Sequence, residues 1–179
     1  MKRRYLMHGA LALAAVSLLP VTAVAANGWR RFHAVRVDDG ALERLDRTAE
    51  AWRRVLDEDA WRILFREGTE QPFSSPLNEE TRDGTYICAA CFLPLFSSAT
   101  KFESGTGWPS FYAPIEAHVD TRLDLKLVWP RTEYHCIRCG GHQGHVFDDG
   151  PDPTGQRWCN NGLALRFVAA GEALPQLRG

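Results

Sequence analysis

Three textures of apolar and polar positions follow one another along the chain. From Tyr5 to Val24 the residues are mostly Ala, Leu and Val, with no acidic residue among them. From Ala41 to Glu67 apolar residues return every three or four positions: Leu42, Leu45, Ala49 and Trp52, then Val55-Leu56, Trp61, Leu64 and Phe65. Charges fill the gaps, which is the period of a helix laying one face on a core. The clearest stretch, Asp57 to Glu67, predicts a helix that Gly68 ends. After Gly68 the runs shorten and Gly, Pro, Ser, Asn and Asp punctuate them. Alternation with aromatic and β-branched residues predicts strands at 85–87, 95–96, 110–112, 125–128, 132–134, 145–147 and 163–167. Many short strands with no helix between them imply an antiparallel, mainly β domain with helices on its N-terminal side.

The first texture is of another kind. Lys2, Arg3 and Arg4 precede the apolar run, and Ala23-Val24-Ala25 follows it as a small-residue cleavage pattern. That order reads as an export signal over residues 1–25, with the periplasm as destination. The Arg3-Arg4 pair raises the twin-arginine route. The run approaches the ~20 residues that span a bilayer, so an uncleaved signal would anchor the protein. Residues 26–50 read as a linker and N-terminal extension, 51–172 as the one folded domain, and 173–179 as a C-terminal tail. The 21 Lys and Arg against 22 Asp and Glu leave a formal charge of -1. Phosphate attraction therefore gives no reason to expect a nucleic-acid partner. A monomer is expected.

All five cysteines lie after residue 87, and they divide four and one. Cys88-Ala89-Ala90-Cys91 and Cys136-Ile137-Arg138-Cys139 each place two thiols on one tight turn. Two such turns complete a tetrahedral sulfur shell, for which zinc is the usual occupant. The pairs stand too far apart for a compact zinc ribbon, so the site would tie two distant hairpins together. In an oxidising compartment the same pairs could instead be structural disulfides or redox couples. Cys159 is then the odd thiol, either a reactive group or a small buried residue. Arg157 could stabilise its thiolate if the two share a strand face, as period-2 geometry allows.

His142-Gln143-Gly144-His145 follows the second cysteine pair. Three readings are open for these histidines: further metal ligands, ordinary surface or core residues, or proton donors facing Cys159. His33, His118 and His135 have no comparable setting, and His135 is expected to do no more than support the neighbouring metal ligand Cys136.

These blocks together resemble the methionine-R-sulfoxide reductases, the B-type enzymes. The resemblance rests on Gly105-Thr106-Gly107-Trp108-Pro109-Ser110-Phe111, on the His142 to Phe147 run, and on Arg157-Trp158-Cys159-Asn160-Asn161. The stretches Thr69 to Leu77 and Gly84 to Cys88 add to it, in the family's order, over about residues 55 to 170. It implies two antiparallel sheets, a structural zinc at Cys88, Cys91, Cys136 and Cys139, and the R epimer of peptide-bound methionine sulfoxide as substrate. It implies Cys159 as nucleophile, His145 and His142 as proton donors or relays, and Asn161 as the group holding the sulfoxide oxygen or a water. Trp108 would pack against the substrate's S-methyl group, and Asp149 and Arg157 would line the substrate site and orient His145. The oxidised Cys159 would pass through a sulfenic acid. Thr106 stands where the family often has a second, resolving cysteine, so a thioredoxin-like donor or other external thiol is expected to reduce it. Gln143, Asn160 and Gly162 also depart from the family's usual residues. A zinc-ribbon-like binding module would leave Cys159, the histidines and Trp108 without a role. A Cys–His hydrolase would consume no reductant.

Overall fold

The computed structural model describes residues 42–126 and 129–179. The expected signal, most of the expected linker and the end of the strand expected at 125–128 lie outside those residues. No helix among the described residues is long and apolar enough to cross a membrane.

The helical period is carried by two helices rather than one. Helix α1 spans Ala49–Arg53, with the Thr48 side chain accepting from Ala51 N at its start. A break at Arg54–Asp57 separates it from α2, Glu58–Arg66, which buries Ala60, Trp61, Ile63 and Leu64 on one face. Glu58 and Asp59 in the first turn suit the positive end of the helix dipole. Glu67, not Gly68, takes the left-handed backbone that stops α2, with φ 52. Gly68 supplies room: its N–H closes on Arg62 O at 3.1 Å, and a Cβ would lie 3.3 Å from that oxygen.

Nine strands follow among the described residues: β1 Gly84–Cys88, β2 Pro94–Ser97, β3 Lys101–Phe102, β4 Ser110–Phe111, β5 Val119–Asp124, β6 Arg131–Cys136, β7 His142–Phe147, β8 Arg157–Asn160 and β9 Leu165–Ala169. They form two sheets, in the orders β2-β1-β9 and β3-β4-β8-β7-β6-β5. All pairings are antiparallel. The mainly β, two-sheet expectation agrees with this architecture. Several strands differ from the pattern. A strand at Val119–Asp124, just before the stretch expected at 125–128, goes unread because an edge strand with mostly exposed side chains shows little apolar alternation. The strand expected at 163–167 begins two residues later, after a 3-10 turn over Gly162–Ala164. Strand β8 has Arg, Trp, Cys and Asn in a row and gives no alternation to read, although it is central to its sheet.

Aromatic side chains fill the space between the sheets. Phe96 of β2 stacks on Phe111 of β4 at 4.2 Å, and Tyr86 of β1 meets Phe111 edge-on at 4.9 Å. Tyr134 of β6 meets Trp158 of β8 edge-on, also at 4.9 Å. Such pairs add about 0.5–1.5 kcal/mol each beyond their buried area. The first described residues and the C-terminal tail lie along the cysteine turns: Leu45 N bonds Arg138 O at 2.7 Å and Arg178 N bonds Cys91 O at 3.0 Å.

Candidate active site and metal centre

Each Cys-x-x-Cys begins at the last residue of a strand, β1 or β6, and each is held by the same turn. Phe92 N bonds Cys88 O, and Gly140 N bonds Cys136 O, both at 2.9 Å. The fifth residue of each turn has positive φ, 65 at Phe92 and 70 at Gly140. The turns bring one sulfur pair from each sheet together. Cys88 Sγ lies 3.6 Å from Cys139 Sγ, and Cys91 Sγ lies 3.5 Å from Cys136 Sγ. All four ligand atoms lie within 4.8 Å of one another, and all four residues are buried. Tetrahedral zinc with sulfur at about 2.3 Å needs sulfurs about 3.8 Å apart, so the set fits that ion. No disulfide joins the five cysteines in this conformation.

The fifth thiol sits in the other half of the sheet. Cross-strand pairing sets one row of side chains across five strands. Ser110 of β4 pairs Cys159 of β8, Cys159 pairs His145 of β7, His145 pairs Glu133 of β6, and Glu133 pairs Arg122 of β5. Residues directly opposite share a face, so a thiol, an imidazole, a carboxylate and a guanidinium lie in line. Gly144 lets the row close: a Cβ there would meet Cys159 O at 1.9 Å.

Cys159 opens into a pocket of about 110 Å3 whose wall includes Trp108, His145, Phe147, Asn161 and Arg131. Small-molecule sites usually hold about 300–1,000 Å3, so this pocket suits the end of one side chain. A larger cavity, about 420 Å3, lies against Glu70, Leu77 and Leu165 and contains none of the reactive groups. Burial pushes the Cys159 thiol above its ordinary pKa, while the Arg157 charge and the Thr106 hydroxyl pull it back. Arg157 thus does share the Cys159 face, two residues away on β8.

The remaining sequence-chosen residues divide. Asn161 is locked: its amide donates to Gln143 O at 3.0 Å, and its Oδ1 accepts from Glu70 N at 3.1 Å. Trp108 Nε1 donates to Glu70 O at 3.3 Å. His142 does not reach the pocket. It is buried behind His145, ring centroids 5.4 Å apart, with Nδ1 3.1 Å from Glu133 Oε2. Burial, with His135 and His145 beside it, holds its pKa well below the ordinary imidazole value. Asp149 does not orient His145. Its two oxygens accept from Arg157 Nε and Nη2 at 2.8 and 2.9 Å, and it makes no hydrogen bond to the imidazole.

His145 is oriented by Asp124, which the sequence reading missed. His145 Nε2 lies 2.9 Å from Asp124 Oδ2, and Arg131 donates to the same oxygen at 2.6 Å. The Lys126 N–H, then His145 and Arg131, hold the Asp124 carboxyl below the usual carboxylate range. Asp124 ends β5, two strands from His145, and its link is made only by sheet pairing. Glu70 was also missed, although it lies in one of the recognised blocks. Its carboxylate accepts from Gly162 N at 2.5 Å and Leu163 N at 2.9 Å, fixing the turn after Asn161. Gly162 has no room for a side chain, since a Cβ would meet Ser75 Oγ at 1.9 Å.

Comparison with known proteins agrees with this geometry. Residues 56–169 match the SelR domain. A peptide methionine sulfoxide reductase MsrB from Pseudomonas putida (strain W619) is 51% identical over 128 residues, 70% of this chain and 96% of the relative. Proteins of the same name from Leptospira interrogans (serogroup Icterohaemorrhagiae, serovar Lai) and Methanosarcina mazei are each 48% identical, over 69% and 72% of this chain and 95% and 92% of their own lengths. On these matches the chain belongs to the methionine-R-sulfoxide reductase B family.

Proposed function

We propose that this protein reduces the R epimer of methionine sulfoxide, carried on oxidised proteins or peptides, with Cys159 as nucleophile. The observation that carries the reading is Cys159 at the pocket wall, paired across strands with His145 and faced by Trp108. The small pocket volume supports a substrate that inserts one side-chain end and leaves its chain outside.

Attack by the Cys159 thiolate on the sulfoxide sulfur supplies the two electrons. A proton from His145, backed by His142, goes to the sulfoxide oxygen. The protonated oxygen then moves to the Cys159 sulfur as the S–S bond made in the attack and the substrate S–O bond both break, so methionine leaves and Cys159 holds a sulfenic acid. Asn161 holds the oxygen or a water that bridges to it, and the Trp108 and Phe147 rings give the methyl group an apolar surface. Two thiols of a thioredoxin-like donor then remove the oxygen as water and leave as a disulfide. Cys159 has no partner cysteine for this outside the four-cysteine cluster, and Thr106 occupies the position a resolving cysteine would take.

Cys88, Cys91, Cys136 and Cys139 would hold Zn2+, which when bound supplies a structural cross-link between the sheets. The leader over residues 1–25 supports work on exported, periplasmic clients, by either export route or from a membrane anchor if the leader is retained. The protein is expected to act as a monomer.

The test uses separate R and S epimers of a dabsyl-methionine sulfoxide with dithiothreitol. Conversion of the R epimer alone, abolished in Cys159→Ser, is expected. Activity surviving in Cys159→Ser would sink the mechanism. A dimedone-type probe should label Cys159 after substrate is added without reductant.

A further inference from the structure

We propose that Glu133, His135 and His142 form a second metal site, separate from the four cysteines, for a borderline divalent ion such as Zn2+, Co2+ or Ni2+. Their ligand atoms lie within 4.8 Å of one another and all three residues are buried. Strand geometry explains the convergence. Glu133 and His135 are two apart on β6 and so share a face. His142 is three residues from His145 and would face away in a regular strand. The pairing shifts between Tyr134 and His135, so that Gly144 opposes Tyr134 but His142 opposes His135, with Gln143 the extra residue. The bulge turns His142 onto the same face as Glu133 and sends the Gln143 amide toward Cys88 Sγ, 3.6 Å away.

Distances agree with shared coordination. His142 Nδ1 and His135 Nε2 lie 3.1 and 3.5 Å from Glu133 Oε2. Nitrogen and oxygen ligands at about 2.0–2.2 Å around a tetrahedral ion sit about 3.3–3.5 Å apart. Arg122 Nε bonds Glu133 Oε1 and leaves Oε2 for the site. The tautomer agrees as well. His135 Nδ1 lies 3.1 Å from Gly140 O, and a carbonyl can only accept, so this nitrogen carries hydrogen. Nε2 of a neutral His135 is then a bare lone pair facing a carboxylate, and the same carbonyl bond is how metal-bound histidines are usually oriented. Neither nitrogen of His142 has a hydrogen-bond partner, nor does His135 Nε2, and His142 is 1% exposed. Buried polar atoms are rarely left so, and an ion would satisfy two of them at once, one on each ring. The set of two imidazoles and one carboxylate is one that zinc commonly accepts. An ion there would also occupy His142, and under the proton-relay reading above it would slow reduction; the binding test stands apart from that reading.

The test adds Co2+ to protein whose four-cysteine cluster is already filled with Zn2+, followed by desalting. One Co2+ per chain is expected, with visible d–d bands and none of the near-ultraviolet thiolate charge-transfer absorption that a cysteine site gives. His135→Phe and Glu133→Gln should each lose the Co2+ while keeping one Zn2+, which reports that fold and cluster are intact. No retained Co2+, thiolate absorption in the cobalt spectrum, or equal retention by both variants would overturn the site.

Discussion

At Cys159 two opposing effects set how much thiolate is available. Burial in the pocket favours the neutral thiol, and the Arg157 charge with the Thr106 hydroxyl favours the anion. Burial wins, so alkylation by iodoacetamide in the free protein should rise with pH and reach half its maximum above the ordinary thiol value of 9.0. Arg157→Leu removes a stabiliser of the anion and should move that midpoint further up. A midpoint left unchanged would mean that Asp149, bonded twice to Arg157, already cancels its charge at the sulfur. His145 depends in the same way on Asp124. Asp124→Asn keeps the shape but removes the carboxylate that fixes the ring, and kcat should fall by about tenfold with KM little changed. The proposed nucleophile and the histidine paired with it were singled out in the sequence because both sit in short, chemically distinctive blocks. Asp124 was not, because 21 residues separate it from His145 and only the β5-β6-β7 pairing brings them to 2.9 Å.

At the scale of the elements, the site depends on strands that carry weak signals of their own. Strand β8 holds Cys159 between β4 and β7, yet it reads as polar and unpatterned because one face serves the pocket and the other, through Trp158, the core. Alternation in sequence reports burial, and a strand whose buried positions do chemistry loses that signal. The helix signal from Ala41 onward suffered the opposite error. The apolar period survives across the Arg54–Asp57 break because both short helices bury residues in the same core, Trp52 from one and Trp61 from the other. What joins β7 to β8 is a missing side chain. Gly144→Ala would put a Cβ 1.9 Å from Cys159 O and 3.0 Å from its carbon, so the two backbones must part. We expect a loss of about 3 kcal/mol or more, read as a lower urea midpoint, together with loss of reductase activity. A small stability change with activity gone would place the effect on the local position of Cys159 alone.

At the scale of the whole fold, the described residues form two sheets whose aromatic interface is supplemented by a four-cysteine cluster. One cysteine pair begins at the end of β1 in the first sheet and the other at the end of β6 in the second, so a bound ion closes the contact at one end. The pairs were legible as metal-friendly from their spacing, whereas the joining of separate sheets depends on pairing that no local pattern encodes. Energetics decide what removal of the ion should do. Structural Zn2+ contributes roughly 10–16 kcal/mol in small peptides near neutral pH, and a domain of this size is stable by only about 5–15 kcal/mol. Even a fraction of that contribution is comparable to the whole stability. Without the ion four thiols are buried beside one another, and Leu64 packs where Gly141 leaves no room for a side chain, so local relaxation cannot hydrate them. Prolonged chelation should therefore lower the thermal midpoint by well over ten degrees and abolish activity, with zinc returning both. Cys159→Ser should lose its midpoint by the same amount on chelation, because its thiol takes no part in the cluster. If that variant instead resisted chelation, Cys159 would have to exchange with the cluster, and the proposal that it is the free nucleophile would fail with it.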